Sequence, residues 1–127
     1  MPRTKRMGHV HTVVTFIGPT GKTEALSMLV DTGASYTWVP DRLLRALGVH
    51  RLRQARLRLG DGRVVRRQLG EVLVEIMGNR VTTVVVFARE GDATVLGVHA
   101  LEGLALEVDP AREALRPMDY LLFLATA

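Results

Sequence analysis

Apolar and polar positions alternate with period two along much of this chain, and the alternation stops at clusters of Gly and Pro. Residues 10–17, rich in β-branched types, predict a strand. Gly18-Pro19-Thr20-Gly21 predicts a turn, and Glu24 to Val30 a returning strand, so a hairpin delivers the chain to Asp31. Asp41 to Leu47 carries a short helical pattern with Asp41 as N-cap and Gly48 as stop. Ala55 to Leu59 alternates apolar and charged residues, Gly60-Asp61-Gly62 turns, and a strand follows through Val64 and Val65. Two further strands, Glu71 to Met77 and Val81 to Phe87, are joined by Gly78-Asn79-Arg80. After a turn at Gly91-Asp92 comes a short apolar run, Thr94 to Gly97, and then one or two helical turns from Val98 to Leu104. Ala105 to Val108 returns to strand, Pro110 interrupts it, and Leu115-Arg116-Pro117 is placed to pair with it. The sum is about eight short strands and one or two short helices, an all-β domain, closed or sandwiched. No repeat or linker divides it, so residues 1–127 read as one domain with a basic N-terminal arm at 1–8 and an apolar C-terminal tail at 118–127.

Composition narrows the chemistry. With 127 residues, 47 % of them apolar, the chain is long enough to bury one core. It has no cysteine, which removes disulfides, thiolate nucleophiles and zinc knuckles and fits a reducing, cytoplasmic setting. No apolar run reaches the length of a signal peptide or membrane span, so a membrane is not expected as a partner. The net charge of +4 rests on seventeen Lys and Arg, nearly all of them Arg. A basic balance can serve nucleic acid, but aromatics are only 5 %, too few for a base-stacking platform.

The segment Leu29-Val30-Asp31-Thr32-Gly33-Ala34-Ser35-Tyr36-Thr37-Trp38-Val39-Pro40 concentrates the chemistry. An acid ends an apolar strand, which is expected to place its carboxyl in a low-dielectric setting where its pKa is tuned. Gly33 permits a tight turn that aims amides at the carboxylate, and the Thr32 hydroxyl can lock the loop. The bland alternative is an ordinary turn aspartate.

This segment resembles the Asp-Thr-Gly signature of aspartic peptidases, in the Asp-Thr-Gly-Ala form of the retropepsin-like branch. Val95-Leu96-Gly97 followed by a short helix resembles the second loop that threads beside the catalytic one, and the Leu57 to Val65 hairpin lies where that family carries its flap. The order of these parts, over roughly residues 13–117, resembles the small prokaryotic single-lobe members. The resemblance implies a closed acid-protease barrel that works as a homodimer on a polypeptide substrate. Asp31 would be the catalytic residue. Thr32, Gly33 and Ala34 would support its loop, Leu59, Gly60, Asp61, Gly62 and Arg63 would form the flap, and Val95, Leu96 and Gly97 the second loop. No cofactor or metal is implied.

Two carboxyls sharing one proton are needed for this chemistry, because like charges a few ångströms apart do not both ionise. Asp41, Asp61, Asp92, Asp109 and Asp119 all lack the following Thr-Gly or Ser-Gly, so the partner is expected to be Asp31 of a second copy. Ala34, lacking a hydroxyl to donate to the carboxylate, implies a less acidic pH optimum than in pepsin-like enzymes. Trp38 is expected at the flap base or in the core. His9, His11, His50 and His99 have no ligand spacing for a metal. Arg51, Arg53, Arg56, Arg58, Arg63, Arg66 and Arg67 read as a solvated face around the flap, or as a surface for acidic substrates. A catalytically silent dimeric module that binds peptide or protein, and a basic nucleic-acid-binding barrel, remain open as other classes.

Overall fold

A computed structural model describes residues 10–119. The arm at 1–8, His9 and the apolar stretch from 120 to 127 lie outside the described residues. Strands β1 (His11–Ile17) and β2 (Thr23–Val30) form the first hairpin, in register from His11 opposite Leu29 to Ile17 opposite Thr23. Strand β3 (Thr37–Pro40) leads into helix α1 (Asp41–Ala46). Strands β4 (Arg53–Arg58), β5 (Val64–Ile76) and β6 (Asn79–Ala88) make two successive hairpins. Strand β7 (Val95–Leu96), helix α2 (Val98–Gly103) and the pair β8 (Leu106–Asp109) and β9 (Ala114–Pro117) complete the chain.

The mostly β reading holds, and seven strands join one sheet in the order β1-β2-β7-β3-β6-β5-β4. An additional pairing of β1 with β5, Thr15 to Ile17 against Glu75 to Leu73, brings the first strand back beside the sixth. The two-residue β7 is the wedge that matters for the site. It runs parallel to β2, Val30 beside Leu96, and antiparallel to β3, Trp38 beside Val95. Alternation then decides what is buried. Val14 and Phe16 of β1, Met28 and Val30 of β2, and Val74 and Ile76 of β5 point into one core. The helices close it with Leu44 from α1 and with Ala100 and Leu101 from α2. Each of the large side chains contributes about 1.5–3 kcal/mol by leaving water.

Three expectations are corrected. Val64–Val65 and Glu71–Met77 are one continuous strand of thirteen residues, not two. Gly70, in its middle, is no turn: a Cβ there would stand 2.6 Å from the His50 carbonyl oxygen and 2.9 Å from Phe87, so the glycine admits a neighbouring segment. Residues 37–40 form a strand that was not foreseen, being too short to show a period. Asp41 is not the N-cap. That position belongs to Pro40, and Asp41 opens the helix, accepting from Arg45 Nε at 2.8 Å and Arg51 Nη2 at 2.7 Å. The stop at Gly48 is as expected. At φ +79° its N–H reaches the Arg45 carbonyl and the Val49 N–H that of Leu44, the paired closing bonds of a Schellman motif.

Candidate active site

Asp31 is the first residue beyond β2, and its position follows from the ladder that ends there. Its N–H donates to the Leu96 carbonyl at 2.9 Å, continuing the β2–β7 pairing one step past the strand. The loop then turns back on itself. Gly33 N–H donates to Asp31 Oδ1 at 2.9 Å, and Ala34 N–H to the Asp31 carbonyl at 3.1 Å. One carboxylate oxygen is thereby fixed. Oδ2 accepts no hydrogen bond among the described residues.

The second loop holds the first from beneath. The first amides of a helix have no intrahelical acceptor, and here they find one in the aspartate loop. Val98 N–H donates to the Ala34 carbonyl at 2.8 Å and His99 N–H to that of Ser35 at 3.0 Å. Gly97 N–H donates at 3.0 Å to the hydroxyl of Thr37, which is wholly buried. A side chain at 97 has no room: its Cβ would lie 2.6 Å from the Tyr36 carbonyl carbon and 2.9 Å from the Ala34 carbonyl oxygen. Above this, the Tyr36 and His99 rings meet edge to face, centroids 5.8 Å apart. Val95 and Leu96 are buried, as a loop packed below the site requires. Thr37 was missed by sequence reasoning; a hydroxyl residue in an otherwise apolar run was the available signal.

The low-dielectric expectation for Asp31 is corrected. Asp31, Thr32 and Gly33 are exposed in the single chain, because the apolar strand ends at Val30 and no described element covers the loop. What faces Asp31 across open space is the β4–β5 hairpin. A cleft of about 750 Å³ is lined by Asp31, Gly33 and Ala34 on one side and by Arg56 to Asp61 and Arg63 on the other, with Trp38 and Val95 in its wall. Trp38 is half-buried there, in the same cleft as the β4–β5 hairpin. Thr32, Gly62, Leu96 and Gly97 do not line the cleft.

The hairpin tip is held by its own atoms. Leu59 N–H donates to the Arg63 carbonyl at 2.8 Å and Gly62 N–H to that of Leu59 at 2.9 Å. Asp61 accepts from the Arg63 N–H at 3.0 Å and from Arg63 Nε at 2.8 Å, and these bonds, the backbone one first, hold its carboxyl below the usual carboxylate range. The hairpin stem is tied elsewhere. Arg67 grips Asp92 with two parallel bonds of 2.7 and 2.8 Å, and Arg89 N–H adds a third at 2.8 Å. Both side chains are nearly buried, at 12 and 13 % exposure, so Arg67 does not belong to the solvated face expected for it. The Arg67 guanidinium is the largest cause holding the Asp92 carboxyl below its ordinary range, against a burial effect of opposite sign. Arg51 stays exposed, but it pairs with Asp41 and lies 5.4 Å above the Phe87 ring. Among the described residues no group of three potential metal ligands comes together, and no helix is long and apolar enough to cross a membrane.

An Asp-Thr-Gly loop at the end of an apolar strand, braced by an apolar-apolar-Gly loop and faced by a hairpin across a cleft, defines an aspartyl protease-like domain. Residues 21–103, from the turn before β2 to the end of α2, match the model of the family described as gag-polyprotein putative aspartyl protease, and the chain belongs to that retropepsin-like family. Among curated proteins, none matches the sequence.

Proposed function

We propose that the protein is an aspartic endopeptidase whose active site forms between two copies of the chain, each supplying Asp31. The observation that carries this reading is the state of the carboxylates around the cleft. Asp61 and Asp92 are both engaged by arginines, whereas Asp31 keeps Oδ2 open at the cleft floor. A second acid able to exchange a proton has to come from outside the chain. A two-fold axis beside the exposed loop provides it and also covers that loop, with Thr32 of each copy bracing the other.

In this dimer the two carboxyls hold one proton between them and titrate as a pair. The ionised one takes a proton from a water lying between them. The water oxygen bonds to the peptide carbonyl carbon while the other carboxyl gives its proton to the carbonyl oxygen. Collapse of the tetrahedral species breaks the C–N bond as the nitrogen takes the proton the first carboxyl gained from water. A hydroxyl on the tetrahedral carbon returns its proton to the other carboxyl, so an acid and an amine leave and the pair again holds one proton. The β4–β5 hairpin closes over the peptide as a flap, excluding water. The β1–β5 pairing supports a closed barrel as the rigid base, and the absence of cysteine suits a cytoplasmic setting.

Hydrolysis of a quenched-fluorescence peptide set, with sedimentation velocity alongside, tests the reading. Wild type is expected to cleave as a dimer and to be blocked by a pepstatin-type inhibitor, and Asp31→Asn to dimerise without cleaving. A strictly monomeric protein, or cleavage that survives Asp31→Asn, removes it. A dimer that binds peptides and cleaves none leaves a silent binding module.

A further inference from the structure

Charges around the cleft are unevenly matched. Apart from Asp31, it is bordered by the carboxylates of Asp61 and Asp92, which Arg63 and Arg67 already occupy. Two further arginines that line it pair with no carboxylate among the described residues. Arg56 makes no ion pair among the described residues, and Arg58 gives Nη1 only to the Gly62 carbonyl, at 3.1 Å. Strand register adds to the imbalance. Arg56 stands directly opposite Arg66, and like charges facing across a strand pair destabilise it. A merely solvated face usually interleaves both signs. From Arg53 to Gln68 the hairpin contains one acid, Asp61, and that one is spoken for.

We propose that the cleft selects acidic peptides, with Glu or Asp within a few residues of the bond to be cut, held by Arg56 and Arg58 of the hairpin. This rests on the peptidase reading above for the cut itself; the charge argument concerns the cleft. In the dimer, two Asp31 carboxyls sharing a proton carry one negative charge and face four guanidiniums, so the field over the floor is positive. Closing the hairpin excludes water and strengthens each pairing. A polynucleotide fits this pattern less well. It brings a charge about every 3.4 Å of strand and sets phosphates against Asp31 as well as against the arginines. A peptide carries its carboxylates only where the arginines are.

Binding and cleavage are read separately. The full-length Asp31→Asn chain is titrated with fluorescein-labelled peptides of one length and one apolar centre, carrying Glu, Gln or Lys at two flanking positions. The Glu peptide is expected to bind about tenfold tighter than the Gln peptide and the Lys peptide weakest, the gap narrowing as salt rises. Arg56→Gln with Arg58→Gln removes the preference, and Arg56→Glu with Arg58→Glu reverses it; both side chains are exposed, and circular dichroism confirms the fold. Wild-type kcat/KM follows the same order. Equal affinities, or a preference that survives both double variants, overturn the proposal. So does single-stranded RNA that displaces the Glu peptide at comparable concentration through the same arginines. If wild type cleaves nothing while the binding order holds, the peptidase reading falls and the acidic preference stands. If it cleaves without regard to charge, the reverse is true.

Discussion

Asp31 and Asp61 each accept a hydrogen bond from the backbone N–H two residues on, from Gly33 at 2.9 Å and from Arg63 at 3.0 Å. Both are exposed and both lie in a glycine-containing turn. Their surroundings differ. The Asp31 loop is bonded to Leu96, Val98 and His99, partners more than sixty positions along the chain, and its second carboxylate oxygen stays open. Among the described residues the Asp61 turn is held by residues within four positions of itself, and Arg63 takes its second oxygen. Under the peptidase reading, Asp31 can act as a reagent because the fold fixes its backbone from a distance and leaves one oxygen without a hydrogen bond among the described residues.

The sharpest separation of the two aspartates is by activity. Asp31→Asn is expected to reduce peptide hydrolysis by about 10³-fold or more, and Asp61→Asn by less than about tenfold, in the same fluorogenic assay. Comparable losses would erase the distinction. Stability separates the glycines next. Gly97→Ala forces a methyl against two carbonyl groups and should cost about 3 kcal/mol in urea denaturation. Gly60→Ala meets open space at the hairpin tip and should stay within about 0.5 kcal/mol.

The Arg67–Asp92 pair joins the hairpin stem to the segment before β7, so it measures how independent the two regions are. Asp92→Asn is expected to cost about 2 kcal/mol near neutral pH. Asp92 has its folded-state pKa depressed, so its contribution is complete above the ordinary carboxylate range and is lost as pH falls through the lowered value. The stability gap between wild type and Asp92→Asn should therefore close in acid, and a gap that stays constant to low pH would assign the cost to packing. The smallest effect concerns Ala34, which is half-buried beside Asp31. Ala34→Ser supplies a hydroxyl donor and should move the acid limb of the pH–rate profile down by about half a unit.

Local signals placed the loops and turns of the candidate site, and the family resemblance gave them their proposed roles. Asp31, Gly33, the turn at residue 61 and the apolar run before Gly97 were legible because turn chemistry and strand alternation are written in adjacent residues. What was illegible depends on residues far apart. Arg67 is indistinguishable in sequence from Arg66, yet its partner is 25 positions on and its neighbour stays in water. Gly70 looks like a strand break, and only the approach of His50 and Phe87 shows why the strand runs through it. The exposure of Asp31 was misjudged for a related reason. An apolar strand buries its own residues and says nothing of what covers the position after its end.

The bond from Gly97 to the Thr37 hydroxyl spans sixty residues, and that sets a timetable. Contacts so distant in the chain close late in folding, after the local hairpins have formed. A chain still on the ribosome with residue 97 unmade has an aspartate loop but no seat for it. Under the peptidase reading, newly made protein is thus spared a seated catalytic loop until most of its own sheet has been made.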